Sequence, residues 1–465
     1  MRATTLPAAA VRAPVRRSRA DLLVLGVEAA LVACAAVVGA VLNARGVGLH
    51  ADAAPLYATW RPHLGWGTPA AVLVAGTVIG AGTRWVRTAG WNALLGAAYL
   101  ASVAWTLSLA LVDGWSDGFV ERLTPQAEYL HEVPRVTDVP AMLAGFTDRI
   151  LDFGPDSWST HTAGHPPGAL LVFVGLDRVG LGGGIAAALV CVLVGASVTI
   201  SVPVALRALG TADAARAVLP FLVLLPGAVW VGASADGLFT GVVAAGLALL
   251  AVRGRVAPAA GGLLLGFALY LSYGFVLVGV LALAVLALRP AARIAALLAG
   301  TAGVAAVAVA FTAGGFHWWD GYRLVVERYY QGWAADRPYG YWVWANLAAL
   351  LLSTGPVLGP ALRRAVAAGA RTLRLGSRHR EGRRGPARRT LAAGPTVLLP
   401  AAAAVAVLAG DLSGLSKAEV ERIWLPFAAW LLVATAHLPT STRRWWLLGQ
   451  AGTALAVNHL LWTVS

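Results

Sequence analysis

The chain has 465 residues, 58% of them hydrophobic and 12% charged, with a formal net charge of +14 and a mean hydropathy of +0.71. A soluble globular chain is about one quarter charged, so this composition excludes a soluble domain, and the lack of ten-residue alternating patterns excludes a β-barrel. The arginine surplus falls in a few short segments, which fits the attraction of cytoplasmic loops for Lys and Arg and argues against a nucleic-acid partner.

The first segment, "MRATTLPAAAVRAPVRRSRADLL", is basic and precedes a long apolar run. A cleaved signal peptide has a shorter apolar core and a small-residue cleavage site. Residues 1–20 are therefore expected to be a cytoplasmic tail, followed by a retained first span. Apolar runs then recur at 21–43, 68–84, 90–112, 184–206, 216–232, 237–252, 258–272, 275–288, 292–312, 341–359, 394–411, 423–438 and 444–462. They predict an all-α, multi-pass protein of the cell membrane with about 13 spans in one domain over 21–465, each run being roughly long enough to cross a hydrocarbon core. The pair within 258–288 also suits one long tilted helix. Cys34 and Cys191 lie in apolar runs, where packing is their expected role.

Arginine bias orients the spans. The N-tail, Arg84 and Arg87, Arg207, Arg253 and Arg255, Arg289 and Arg293, the Arg-rich loop at 361–393 and the Arg443/Arg444 pair go inside. The Arg-rich loop reads as mobile and in contact with anionic membrane lipids, at about 1 kcal/mol per basic residue. Segments 44–67, 113–183, 313–340 and 411–422 are left outside. The alternation closes if 169–182, which is short and carries Asp177 and Arg178, lies along the surface.

The outer loop at 113–183 gathers nine acids between Asp113 and His165, opposed only by Arg122, Arg135 and Arg149. Most read as a solvated loop. Asp113 and Asp117, in "LALVDGWSDGF", stand where a span meets the outer surface, and ionisable groups at that depth are functional candidates. The loop closes on "THTAGHPPGALL", where Pro166 and Pro167 can open a helix but not continue one. His161 and His165 have metal-ligand spacing, but Gly164 and the prolines argue against a helix across them, and no Glu stands between them. Proton sharing or contact with a phosphate suits them better than zinc, although a divalent metal stays open.

Further along, "VWVGASADGLFTG" sets Asp236 at a small-residue break, "YLSYGF" sets Tyr273 at an outer turn, and "GLSKAEVERIWLPF" sets Lys417 and Arg422 before a span. Arginine's planar fork suits phosphate oxygens; the plainer alternative is an Arg paired with Glu421 or Glu419. The segment "GGFHWWDGYRLVVERYYQGWAADRPYGYWVW", with Trp319 and Tyr339, suits either an interfacial aromatic belt or a carbohydrate platform.

In this order the motifs resemble the GT-C superfamily of membrane glycosyltransferases, in the branch with protein O-mannosyltransferases and bacterial lipid-A aminoarabinose transferases. The similar parts are Asp113 or Asp117, "HPPGALL", "VALRALG", "SADGLF", "YLSYGF" and "ERIWLPF", over residues 90–440. The usual adjacent acids and the Lys of the short hairpin are absent, with Ser272 and Tyr273 in its region. The resemblance implies sugar transfer from a polyprenyl-phosphate carrier to a glycan, lipid or protein acceptor at the outer membrane face, without a nucleotide or other cofactor. It implies Asp117 or Asp113 as general base, Arg422, Lys417 and His165 on the donor phosphate, and His161, Asp236, Tyr273, Trp319 and Tyr339 near substrate. The Arg- and Ala-rich composition suggests a high-GC bacterium of actinobacterial type. Two other classes remain: a transporter or flippase for a lipid-linked or anionic solute, and a non-catalytic envelope-assembly protein.

Overall fold

The computed structural model describes residues 16–232, 234–289, 291–378 and 394–463. The tail at 1–15 and the part of the Arg-rich loop at 379–393 lie outside the described residues. The described chain is all-α apart from two short paired strands, β1 (Ala58–Trp60) and β2 (Leu461–Thr463).

Among the described residues, six helices are long and apolar enough to cross a membrane: Arg19–Ala44, Gly67–Thr88, Trp91–Ala110, Gly184–Ala208, Arg293–Ala313 and Pro395–Leu412. A seventh is possible if Tyr339–Thr354 and Leu358–Thr372, bent by 96° at their junction, count as one broken span. This is a membrane protein, in which six or seven of the described helices have the length and apolarity of a full span, against thirteen expected apolar runs. Asp236–Ala251, Val256–Leu271, Tyr273–Leu288 and Leu425–His437 are apolar but shorter. The expected span at 216–232 splits into Ala212–Val223 and Ala228–Val231, with Pro226 in the break. Helix Arg443–Leu460 carries Arg443, Arg444, Gln450, Asn458 and His459, so its composition is too polar for a lipid-facing span. The 258–288 region forms two helices that part at Ser272.

The helix ends sort into two chemically distinct groups. At one end, Asp21 of the first helix is held by Arg363 and Arg364. There too, Arg216 donates to the carbonyls of Val86 (2.9 Å) and Ala89 (3.0 Å), and Arg289 to that of Val252 (2.7 Å). This is the arginine-rich end. The Arg-rich segment is not a loop over its first part: Leu358–Arg378 is a strongly amphipathic helix that packs on the first helix through those arginines.

At the other end, segments 44–67, 113–183, 313–340 and 411–424 contact one another. Arg337 donates to the carbonyls of Leu49 (3.1 Å), His50 (3.2 Å) and Lys417 (2.8 Å), and Arg328 pairs with Asp152 at 2.5 Å. β1 and β2 close this end, pairing antiparallel with Ala58 opposite Thr463. The acidic loop turns through the short helix Thr160–Gly164 into helix Gly168–Arg178, which starts directly after Pro167. Its eleven residues are too few to span a bilayer. Gly168 lets it sit against Tyr270, since a Cβ there would stand 2.4 Å from the Tyr270 carbonyl oxygen.

Candidate functional site

Arg422 is the centre of a buried ionic cluster at the acid-rich end. It lies in the short helix Val420–Ile423, which follows two non-glycine residues with left-handed backbone, Ala418 (φ 70°) and Glu419 (φ 62°). Such conformations cost about 1–3 kcal/mol each and persist only where the surroundings fix them. Here Asn346 accepts from the Ala418 N–H (3.3 Å) and donates to the Ser416 carbonyl (2.7 Å), while Tyr329 Oη accepts from the Lys417 N–H (2.8 Å).

The guanidinium donates through Nη1 to Asp236 Oδ2 at 2.8 Å and through Nη2 to Glu419 Oε2 at 2.5 Å. Arg422 and Asp236 side chains are only 8% and 6% exposed, while Glu419 is 22% exposed. Arg337 reaches the other oxygen of Glu419 at 3.3 Å, so one carboxylate bridges two buried arginines. Arg422 Nε is buried without a hydrogen-bond partner.

His161 completes the cluster. Its Nδ1 lies 2.7 Å from Glu128 Oε1 and its Nε2 3.4 Å from Arg422 Nη2. An Nδ1–H donating to Glu128 leaves the Nε2 lone pair facing the guanidinium. His165 Nδ1 lies 2.9 Å from the His161 carbonyl, and the Tyr129 ring packs against both histidines.

These environments drive the titratable groups apart. Burial pushes Glu419 up, but Arg422 and Arg337 outweigh it and hold the carboxyl at about 2. Burial lowers His161, but Glu128 outweighs it and the imidazole is raised above its usual value. Burial holds His165 down at about 4, so that ring is neutral. Burial pushes Glu421 up to about 7; it accepts the Tyr57 N–H at 2.9 Å, and its second oxygen has no partner. Neighbouring histidines are thus shifted in opposite directions, a pattern associated with acid–base chemistry.

Of the residues singled out in the sequence, His161, His165, Asp236 and Arg422 come together. Asp113 belongs to a different cluster: its carboxylate takes Arg122 Nη2 at 2.7 Å and His63 Nε2 at 2.7 Å. Arg122 also donates to the Thr463 carbonyl, so this cluster clamps β2. Asp117, in the π-turn Ser116–Val120, is exposed and makes no hydrogen bond or ion pair among the described residues. Lys417 donates to the Ala334 carbonyl at 2.9 Å and lies over the Tyr330 ring, but it does not contact Arg422. Tyr273 is buried against Trp318 and Tyr322 with its hydroxyl unpartnered. Trp319 and Tyr339 are exposed at the same end, Tyr339 donating to the Leu412 carbonyl.

Glu128 and Arg337 enter the site only through the fold, whereas the Arg422–Glu419 pair was one of the two pairings the sequence offered. Glu419 stood in the sequence as a simple partner for Arg422, Glu128 as one of many loop acids, and Arg337 within an aromatic segment. Among the described residues no group of three or more His, Cys, Asp or Glu side chains is arranged to hold a metal ion. The chain matches no known protein family, no curated protein and no solved structure.

Proposed function

We propose that this chain is a GT-C-like transferase of the cell membrane, with its N-terminus in the cytoplasm. It moves a sugar from a polyprenyl-phosphate carrier to a cell-envelope acceptor, at an acid-rich end facing outward. The observation that carries this reading is the convergence of Glu128 and His161 of the acidic loop, Asp236 and Arg422, from three distant segments, on one partly open cluster beside membrane helices. No nucleotide-binding glycine loop is present, which suits a lipid-linked donor.

In this reaction the acceptor hydroxyl attacks the sugar C1. A C1–O bond to the acceptor forms, the C1–O bond to phosphate breaks, and the electron pair leaves on the lipid phosphate. Arg422 stabilises that charge. Its fork is occupied by Asp236 and Glu419, so the donor phosphate must take the place of the more exposed Glu419. His161, 19% exposed and oriented by Glu128, takes the acceptor proton at Nε2. Asp117, exposed and unpaired among the described residues, is the competing base, whereas Asp113 already has both oxygens engaged.

The test is transfer from a radiolabelled polyprenyl-phosphate sugar in membranes, comparing wild type with His161→Asn, Asp117→Asn and Arg422→Lys at equal expression. Loss in His161→Asn and Arg422→Lys supports the assignment, and loss only in Asp117→Asn moves the base there. Transfer indifferent to all three removes the catalytic reading. A transport function draws on one observation, Glu28, a carboxylate buried within the first span that accepts the Gly359 N–H. Solute uptake into vesicles that is lost in Glu28→Gln, with no sugar transfer, would favour that second reading.

A further inference from the structure

A separate cavity of about 500 Å³ opens at the arginine-rich end, lined by Trp91, Val204, Arg207, Leu209, Val252 and Arg253 among others. Three apolar helices end there. Trp91 begins Trp91–Ala110, Val204 and Arg207 lie in the last turns of Gly184–Ala208, and Val252 and Arg253 follow Asp236–Ala251. A cavity built from the ends of such helices lies at the boundary between hydrocarbon and water.

Its charge is unbalanced. No acid lines it, and Arg207 and Arg253 are exposed, with no side-chain hydrogen bond or ion pair among the described residues. Several other arginines of this end are satisfied, Arg216 by the Val86 and Ala89 carbonyls and Arg363 and Arg364 by Asp21, while Arg84, Arg87 and Arg255 are exposed outside the cavity. The Arg207 guanidinium is nevertheless positioned, 4.6 Å from the centre of the Trp91 ring, and Arg216 lies against the same ring at 5.9 Å. Cation–π contact of this kind fixes a guanidinium without using its N–H donors, which leaves them free for a ligand. Beneath the two arginines the walls are Val204, Ala208, Leu209 and Val252, all apolar.

We propose that this cavity binds the headgroup of an anionic phospholipid. The phosphate accepts from Arg207 and Arg253, and the upper acyl chain lies against Val204 and Val252. Arginine's fork matches phosphate oxygens. A soluble phosphate compound would gain nothing from the apolar walls, whereas a lipid satisfies both halves of the cavity. One lipid would also join the ends of three helices. This inference is independent of any reaction at the Arg422 cluster.

The experiment is native mass spectrometry on the full-length protein in detergent, titrated with phosphatidylglycerol or with phosphatidylcholine of the same acyl chains. The expected result is one tightly held phosphatidylglycerol, with phosphatidylcholine bound at least tenfold more weakly. Arg253→Gln and the Arg207→Gln/Arg253→Gln pair should lose about tenfold of that preference. The single variant alters an exposed, unpaired side chain and so keeps the assessment independent of folding. Arg84→Gln, an exposed arginine outside the cavity, should change nothing. Equal binding of the two lipids, or an unchanged preference in the Arg253 variant, would overturn the proposal. Displacement of the bound lipid by millimolar inorganic phosphate would overturn it too, in favour of a soluble phosphate ligand.

Discussion

Asp236 and Arg422, 186 positions apart in the chain, meet at 2.8 Å with both side chains almost wholly buried. Breaking such a pair from one side leaves an uncompensated buried charge, at a cost of about 3–5 kcal/mol. Asp236→Leu and Arg422→Met should each lower the unfolding midpoint sharply, while the two combined should recover much of the loss. A double-variant cycle by thermal unfolding in detergent checks this. Additive losses would mean that the two residues do not act as a pair.

The His161–Glu128 pair sets a pH dependence. Glu128 raises the folded-state pKa of His161, so the stabilisation from this pair is fully present below the unfolded value, about 6.5. It fades as pH rises through the folded value. Glu128→Gln removes the cause of the shift. Under the transferase reading, His161 must be unprotonated at Nε2, so activity falls on the acid side. In Glu128→Gln that acid limb should move to lower pH, with a loss of maximal rate from the unoriented imidazole. Transfer measured from pH 5 to 9 checks it; an unmoved limb assigns the limb to another group.

Glu421 behaves in the opposite sense to a normal paired carboxylate. Its folded pKa is raised by burial to about 7, so folding becomes less favourable as pH climbs from the unfolded value, about 4.3, through 7. Glu421→Gln keeps an acceptor for the Tyr57 N–H and cannot ionise. It should raise the unfolding midpoint at pH 8 and leave it nearly unchanged at pH 4. A variant less stable than wild type at pH 8 would show that the ionised carboxylate has a partner in the fold.

Asp113 should prove structural. Its two partners, His63 and Arg122, tie the turn before Gly67 to β2, and Arg122 also packs against Trp462. Asp113→Asn should release β2 and speed amide hydrogen exchange at 461–463, with the helices intact by circular dichroism. Protection equal to wild type would place the anchoring of β2 elsewhere, for instance in the β1 ladder alone.

The membrane class was legible in composition, because hydrocarbon tolerates few charges and imposes helices. So was the grouping of segments, since arginine bias and acid bias each collected residues that meet in space. Helix Gly168–Arg178 was visible in Pro166, Pro167 and the shortness of its apolar run. Span number was not, because an apolar run measures hydrophobicity and not continuity: the run at 216–232 breaks at Pro226, between Ala212–Val223 and Ala228–Val231. In the site, Arg422 and Asp236 stood out as charges bordering apolar runs. Glu128 did not, because nothing local separates it from Glu121 or Glu132; only the path of the chain carries it to His161. Asp113 looked like a catalytic acid for the same reason that it works as an anchor, being a desolvated carboxylate at a helix end.

The β1–β2 pair has a consequence for assembly. Strand β1 emerges early in synthesis and its partner only after almost every helix is in place. Until then β1 has an unpaired edge, and His63, whose N–H donates to the His459 carbonyl at 2.8 Å, lacks that acceptor. Arg422 also arrives late, so Asp236 waits as an uncompensated acid. A ribosome-bound intermediate is thus predicted to expose this end to proteases and to shed that sensitivity in one late step, when the final helix threads back and the clasp shuts.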